Sequence, residues 1–363
     1  MVSTAHNAIM TDTPAQRPEN GPVIAAWLKP LAALLLLGQF APDLQAAKKT
    51  PTPPPPARVW PNPPAEPRIT FVASIGSAYD IGGKPSIFSR IGNAIIGSKK
   101  ADRQFVKPQS LNLDDQGNIC LTDTGTGSIY VLDRAKHKAQ RWDKAGKKRF
   151  INPVAMAKRK DLMFVAEPEA GAVLAVNTKG KLLFEIRKEL QWPAGLAISG
   201  DKLLVADARA HRIAVFDLKG NFIRAFGKRG VAPGEFNFPT HLAVDPAGRV
   251  FVTDSMNFRV QIFGPDGTFE SLLGSQGDTS GHLSRPKGVA VDKFGHVYVV
   301  DALFDNFQIF DQQGRFLLDV GTPGSGPGDF WLPSGITFGG DNTILVADSY
   351  NHRVQVFQYL GKE

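Results

Sequence analysis

Six carboxylates, Asp123, Glu167, Asp207, Asp254, Asp301 and Asp348, recur along the chain at intervals of 40–47 residues. Gathered on one face, they would form a ring of oxygen ligands of the kind calcium takes. The same spacing suits a structural role, in which each acid accepts hydrogen bonds from turn backbone and from a neighbouring repeat's arginine. Because the acids recur once per repeat alongside Asn and Arg, the structural role is the expectation. A proline stands 14 or 15 residues before each acid, at Pro108, Pro153, Pro193, Pro239, Pro286 and Pro333. The residues that follow these prolines include Gln109, Thr240, His241, Lys287 and Ser334, which are the candidates for a binding site on the acids' face. Only His241 among them is a metal-ligand type, and a catalytic zinc needs about three protein ligands. His211 and His352 share one repeat position and read as structural. There is no G-x-S-x-G nucleophile elbow and no P-loop. No catalytic residue, metal or cofactor is therefore expected.

A second candidate is electrostatic. Between Arg134 and Lys160 the chain carries eleven Lys/Arg and a single acid, Asp143. The whole chain is only +8, so the remainder is slightly acidic and the basicity is local. Arg134, Lys136, Lys138, Lys158, Arg159 and Lys160 fall in two turns expected to open on the same, lower face. Such a patch suits an anionic surface or a protein partner. Nucleic acid is the weaker reading, because only Trp142 supplies an aromatic for base stacking. Cys120, the single cysteine, sits in an apolar strand pattern and reads as a small core residue.

The elements that would position these residues are set by self-similarity. PTHLAVDPAGRVFVTDSMNFRVQIF from Pro239, PKGVAVDKFGHVYVVDALFDNFQIF from Pro286 and PSGITFGGDNTILVADSYNHRVQVF from Pro333 are copies of one unit. A shorter copy starts at Pro193, and degenerate copies start at Pro108 and Pro153. Each but the last holds four short alternating segments, separated by turns such as Asp-Lys-Phe-Gly and Asp-Gln-Gln-Gly. A period of 40–50 residues with four strands predicts propeller blades, and six copies predict six. The last copy lacks a fourth strand, which residues 68–76 would supply, closing the ring and leaving no edge. Residues 77–106 form an insertion before the first blade, and their apolar spacing from Ile87 to Ile96 suits a short amphipathic helix.

Ahead of the propeller, Lys29 precedes an apolar run at 31–37, and small residues follow at Ala46 and Ala47. Residues 1–47 read as a secretory signal or, uncleaved, as an N-terminal membrane anchor. The run is short for a span of about 20 residues. Residues 48–67 are proline-rich and read as an extended linker.

The connector Gly227-x-x-Gly230-x-x-x-Gly234-Glu-Phe236-x-x-Pro239 recurs before Pro286 and Pro333. Together with Asp348-Ser-Tyr-Asn-His-Arg-Val-Gln-Val-Phe357, it resembles the NHL repeat over roughly residues 68–360. The Asp-x-x-Asn-x-Arg pattern is complete at Asp254/Asn257/Arg259 and Asp348/Asn351/Arg353, partial in the third and fifth copies, and absent from the first two. The resemblance implies an all-β, six-bladed propeller of four-stranded antiparallel blades serving as an exported protein- or ligand-binding scaffold. It also raises two alternatives: a metal-dependent lyase or hydrolase with its site at the central mouth, and an RNA-binding propeller if the chain is cytoplasmic.

Overall fold

The computed structural model describes residues 58–78, 80–81 and 104–361. The N-terminal apolar run, the first part of the linker and the helix expected within 77–106 lie outside those residues. Six antiparallel sheets are arranged as blades at 108–142, 155–186, 193–226, 239–273, 286–320 and 336–359. In blade five the strands are Pro286–Val291, Val297–Asp301, Asn306–Phe310 and Phe316–Val320. The first strand of each blade descends beside the central axis and the second climbs back. Proline and acid therefore meet at the top, where Pro239 faces Asp254 and Pro286 faces Asp301.

Several of the lower hairpins follow from an Asp-x-x-Gly sequence. Asp292 accepts hydrogen bonds from the Phe294 and His296 amides (2.9 and 2.8 Å), and Gly295 takes φ 86°. Asp114, Asp217 and Asp311 do the same for their own turns. The short side chain thus supplies the acceptor, and glycine supplies a conformation that costs other residues.

Alternation along each strand sends side chains to the two neighbouring blades in turn. Accordingly the described core consists of six apolar clusters, one at each blade interface. Leu204, Ala206 and Ile213 of blade three meet Leu242, Val250 and Phe263 of blade four in one of them. Fully burying such side chains contributes about 1.5–3 kcal/mol each. Cys120 is fully buried between blades one and two, and burial, with Asp114 nearby, pushes its thiol up to about 12. It is an inert packing residue.

In the last blade, Ile69–Ile75 pairs antiparallel with Arg353–Tyr359. A two-residue strand, Val59–Trp60, adds a fifth position at the outer edge, within the segment read as linker. Trp60 packs edge-on against Phe357, with ring centroids 5.7 Å apart.

Where the innermost strands converge on the axis, three of the six blades place glycine. A Cβ on Gly195, Gly288 or Gly335 would come within 2.3, 2.5 or 2.7 Å of a carbonyl oxygen on the adjacent blade. Close approach explains these glycines, since none of the three has φ in the left-handed range.

One lower-face cluster makes stability depend on pH. His296 Nδ1 lies 2.7 Å from Asp292, which also accepts from the Tyr298 hydroxyl at 2.9 Å. The Asp292 hydrogen bond holds the imidazole above its ordinary value of 6.5, with Asp311 adding to the effect. A folded value above the unfolded one means the contribution is complete below about 6.5 and fades as pH rises through the folded value. The fall in this contribution between slightly acidic and mildly alkaline pH, read by urea unfolding, should therefore be lost in His296→Gln, leaving a stability that declines less with pH than the parent's.

Candidate functional site

The six repeat acids stand together near the top, but their oxygens are turned to backbone. Asp123 accepts from the amides of Val106, Lys107, Gly125 and Thr126. Glu167 takes Ile151 and Asn152, and Asp207 takes Gln191 and Trp192. Asp301 binds four amides, including those of Ser284 and Arg285. Asp254 and Asp348 each add a full set of side chains: Asn257, Arg259 and Gln261 for the first, and Asn351, Arg353 and Gln355 for the second. The expectation of an arginine from a neighbouring repeat is corrected here. Arg259 and Arg353 belong to the same blade as their acids, and from there they clamp the glycine-rich connector. Arg259 donates to the carbonyls of Val231, Ala232 and Glu235, at 2.8–3.0 Å.

The residue that closes the upper turn after a repeat acid makes some of the contacts between blades. His211 Nδ1 sits 3.2 Å from the Phe236 carbonyl. Asp305 accepts from the Leu332 amide at 2.6 Å, and His352 Nδ1 reaches the Val106 carbonyl at 2.5 Å. His211 and His352 are thus ties between neighbouring blades.

At the centre of the top face lies a cavity of about 320 Å³. It brings together four of the five predicted mouth residues, Gln109, Thr240, His241 and Lys287. Ser334, at the equivalent position of blade six, is 1% exposed, does not line this cavity, and its Oγ has no partner among the described residues. The walls include Trp192, Met256 and Phe258, which sequence reasoning passed over. Trp192 directly precedes an opening proline and Met256 lies two residues beyond a repeat acid. That fixed offset is the signal that could have found them.

The polar side of the cavity is ordered by a short relay. His241 Nδ1 lies 3.0 Å from Thr240 Oγ1, which lies 2.5 Å from Ser255 Oγ, itself donating to the Pro286 carbonyl at 3.3 Å. Ser255 spends its one proton on that carbonyl, so Thr240 donates to Ser255 and His241 Nδ1–H donates to Thr240. Burial, with the Lys287 charge nearby, pushes the imidazole down to about 3, so it is neutral at physiological pH. Burial also lowers the Lys287 ammonium to about 8, and the charges of Arg285 and Lys107 add to this.

The basic stretch is distributed more widely than the sequence suggests. Arg134, Lys136 and Lys138 are exposed, and Lys136 pairs with Asp133 at 3.1 Å. Lys158 is withdrawn from the expected surface: its side chain is 6% exposed and its Nζ lies 2.6 Å from Asp114. Burial raises that carboxyl, but the Lys158 and Asn118 hydrogen bonds outweigh it and leave Asp114 below its ordinary value. Arg159 lines a lower-channel cavity of about 460 Å³, and Lys160 donates its amide to Asp115. In the connector, Lys148 pairs with Glu185 and Arg149 with Asp143.

The geometry defines a six-bladed β-propeller with its channel mouth on the acid-bearing face. Residues 187–249 match a 6-bladed beta-propeller family, and residues 236–263 and 330–357 match the NHL repeat. The chain thus carries recognisable NHL repeats in blades four and six of a six-bladed propeller. A RING finger protein of Caenorhabditis elegans, nhl-1, is 41% identical over 56 residues, which are 15% of this chain and 6% of that protein. Among solved structures, a streptogramin B lyase superposes with a TM-score of 0.53 at 12% identity, covering 70% of this chain and 94% of its own. Virginiamycin B lyase from Staphylococcus aureus gives 0.52 at 14%, covering 71% and 96%. Hydrazine synthase from Kuenenia stuttgartiensis gives 0.53 at 14%, covering 71% and 97%. At such identities the likeness is one of fold.

Proposed function

We propose that this chain is an exported, non-enzymatic scaffold that binds a protein partner on the top face of its propeller. One observation carries the reading: apolar side chains are exposed there at repeated offsets. Two residues before an opening proline stand Val106, Ile151 and Trp331, and two residues after a repeat acid stand Met256, Leu303 and Tyr350, all at least 40% exposed. Trp331 and Tyr350 pack together at 5.6 Å, and Lys107 lies 5.3 Å from the Tyr350 ring centroid. Large exposed apolar groups rimmed by polar ones mark interaction surfaces. Export rests on the apolar run at 31–37 and its flanks.

Replacing Met256, Leu303, Trp331 and Tyr350 together by Ser should abolish capture of partners from the exported fraction. Stability should shift by only about 0.5 kcal/mol per site. Unchanged capture, or a chain that fractionates with the cytoplasm, would reject the reading.

The lyase alternative draws on the fold shared with the streptogramin lyases and on His241 at the mouth. Its weakness is electrostatic, because Lys287 sets a positive charge beside the one histidine a metal cation would need. That reading requires stoichiometric metal in the purified protein and an activity sensitive to His241→Ala.

A further inference from the structure

We propose that the mouth cavity is a small-molecule site for a carboxylate joined to an apolar body, with Lys287 as its counter-ion. This deepens the reading of the top face as a binding surface by giving its centre a ligand class.

Charge points the same way. Lys287 is partly buried beside the axis, and the charges that act on its ammonium are Arg285 and Lys107, both positive. The acids at the upper ends of the neighbouring strands cannot serve it. Asp254 and Asp301, at the upper ends of the strands beside it, are fully buried and committed to connector amides and side chains. The Lys287 carbonyl is held by Thr253 Oγ1 at 2.7 Å, which fixes the backbone that carries the ammonium. His241 is uncharged, so it leaves the site's net charge unchanged. An anion entering this cavity therefore meets an unmet positive charge in a partly desolvated setting, where such a pair is stronger than in water.

The apolar body follows from the walls. Trp192, Met256, Phe258 and Pro168 line the same cavity. Arg209 stacks on the Trp192 ring with its guanidinium carbon 3.7 Å from the centroid, which holds that ring in place. A volume of about 320 Å³ is at the small end for ligand pockets. It suits an aromatic or short alkyl acid. A bare inorganic anion would leave the walls unused.

The lysine is also costly to the fold. Its value of about 8 lies below the ordinary 10.5, so the charged form opposes folding at neutral pH, and that penalty relaxes as pH rises through about 8. An ion kept at such a cost is expected where binding needs it. Lys287→Met should therefore give a protein at least as stable as the parent at neutral pH, which makes it a clean test variant.

The experiment titrates the full propeller with indole-3-acetate, phenylacetate and octanoate, each against its neutral amide, and with inorganic phosphate, by calorimetry or ligand-observed NMR. At least one acid should bind about tenfold more tightly than its amide. That preference should vanish in Lys287→Met and decline as pH rises through about 8. Trp192→Ala should weaken acid and amide alike. The site is refuted if no acid outbinds its amide, if the preference survives in Lys287→Met, or if phosphate binds as well as the acids. Because these titrations need no protein partner, they can fail while rim-dependent capture succeeds, and the reverse.

Discussion

Asp254→Ala is expected to lower the stability of the fold by about 3–5 kcal/mol, the range for breaking a buried ion pair and stranding its partner. Asp254 is fully buried and accepts from the Asn237 amide, Asn257, Arg259 and Gln261. Removing it leaves Arg259, whose side chain is 10% exposed, without a counter-charge inside the blade. It also frees the connector that leads into the first strand of blade four. Urea unfolding should show the loss as a lower midpoint, and Asp348→Ala should match it, since that acid repeats the arrangement with Arg353. Asp123, bonded to amides and to no arginine, should cost less when replaced, because the amides it leaves behind are neutral and no buried charge is stranded. Adding calcium or a chelator should leave every midpoint unmoved. A calcium-dependent shift would restore the ligand-ring interpretation.

Removing residues 1–76 is expected to cost more. It takes away the strand Ile69–Ile75 and with it Ile69, Ile75 and Trp60, each under 10% exposed in clusters shared with the neighbouring blades. Three such side chains account for about 1.5–3 kcal/mol apiece, against a total of about 5–15 kcal/mol for ordinary domains. The strand Arg353–Tyr359 would also present an open edge, which invites association. The shortened chain should unfold at room temperature or aggregate on sizing columns. A peptide spanning residues 58–76, added in trans, should restore the cooperative transition. A monomeric truncation that melts like the parent would contradict the pairing.

The blade count, the strand order within blades and the position of the mouth were legible in the sequence because each is a periodic property. A proline at the start of an inner strand and an acid at the end of the next mark one face six times over. Hydrogen-bond direction was less legible. Arg259 lies five residues from its acid, yet nothing in the spacing says whether an arginine serves its own blade or the next. Lys158 defeated the reading of a basic patch for a related reason. Its partner Asp114 is 44 residues distant and opposes it only once two blades are packed together. Trp192 and Met256 sit at fixed offsets from an opening proline and a repeat acid, but the residue types at those offsets vary from blade to blade. Their place in the cavity is a property of the assembled ring.

Ile69 finds its partner, Tyr359, 290 residues further along the chain. A polypeptide threaded outward from one end would deliver this early segment long before the strand it joins. For that interval every finished blade stands in an unsealed arc, its terminal sheet bare and open to chance pairing. Contacts so distant in sequence slow maturation, because the arc gains little until its two ends meet. The vulnerable species for this protein is thus the nearly complete one, and a chaperone or protease that meets it would act on the gap between the first and last sheets.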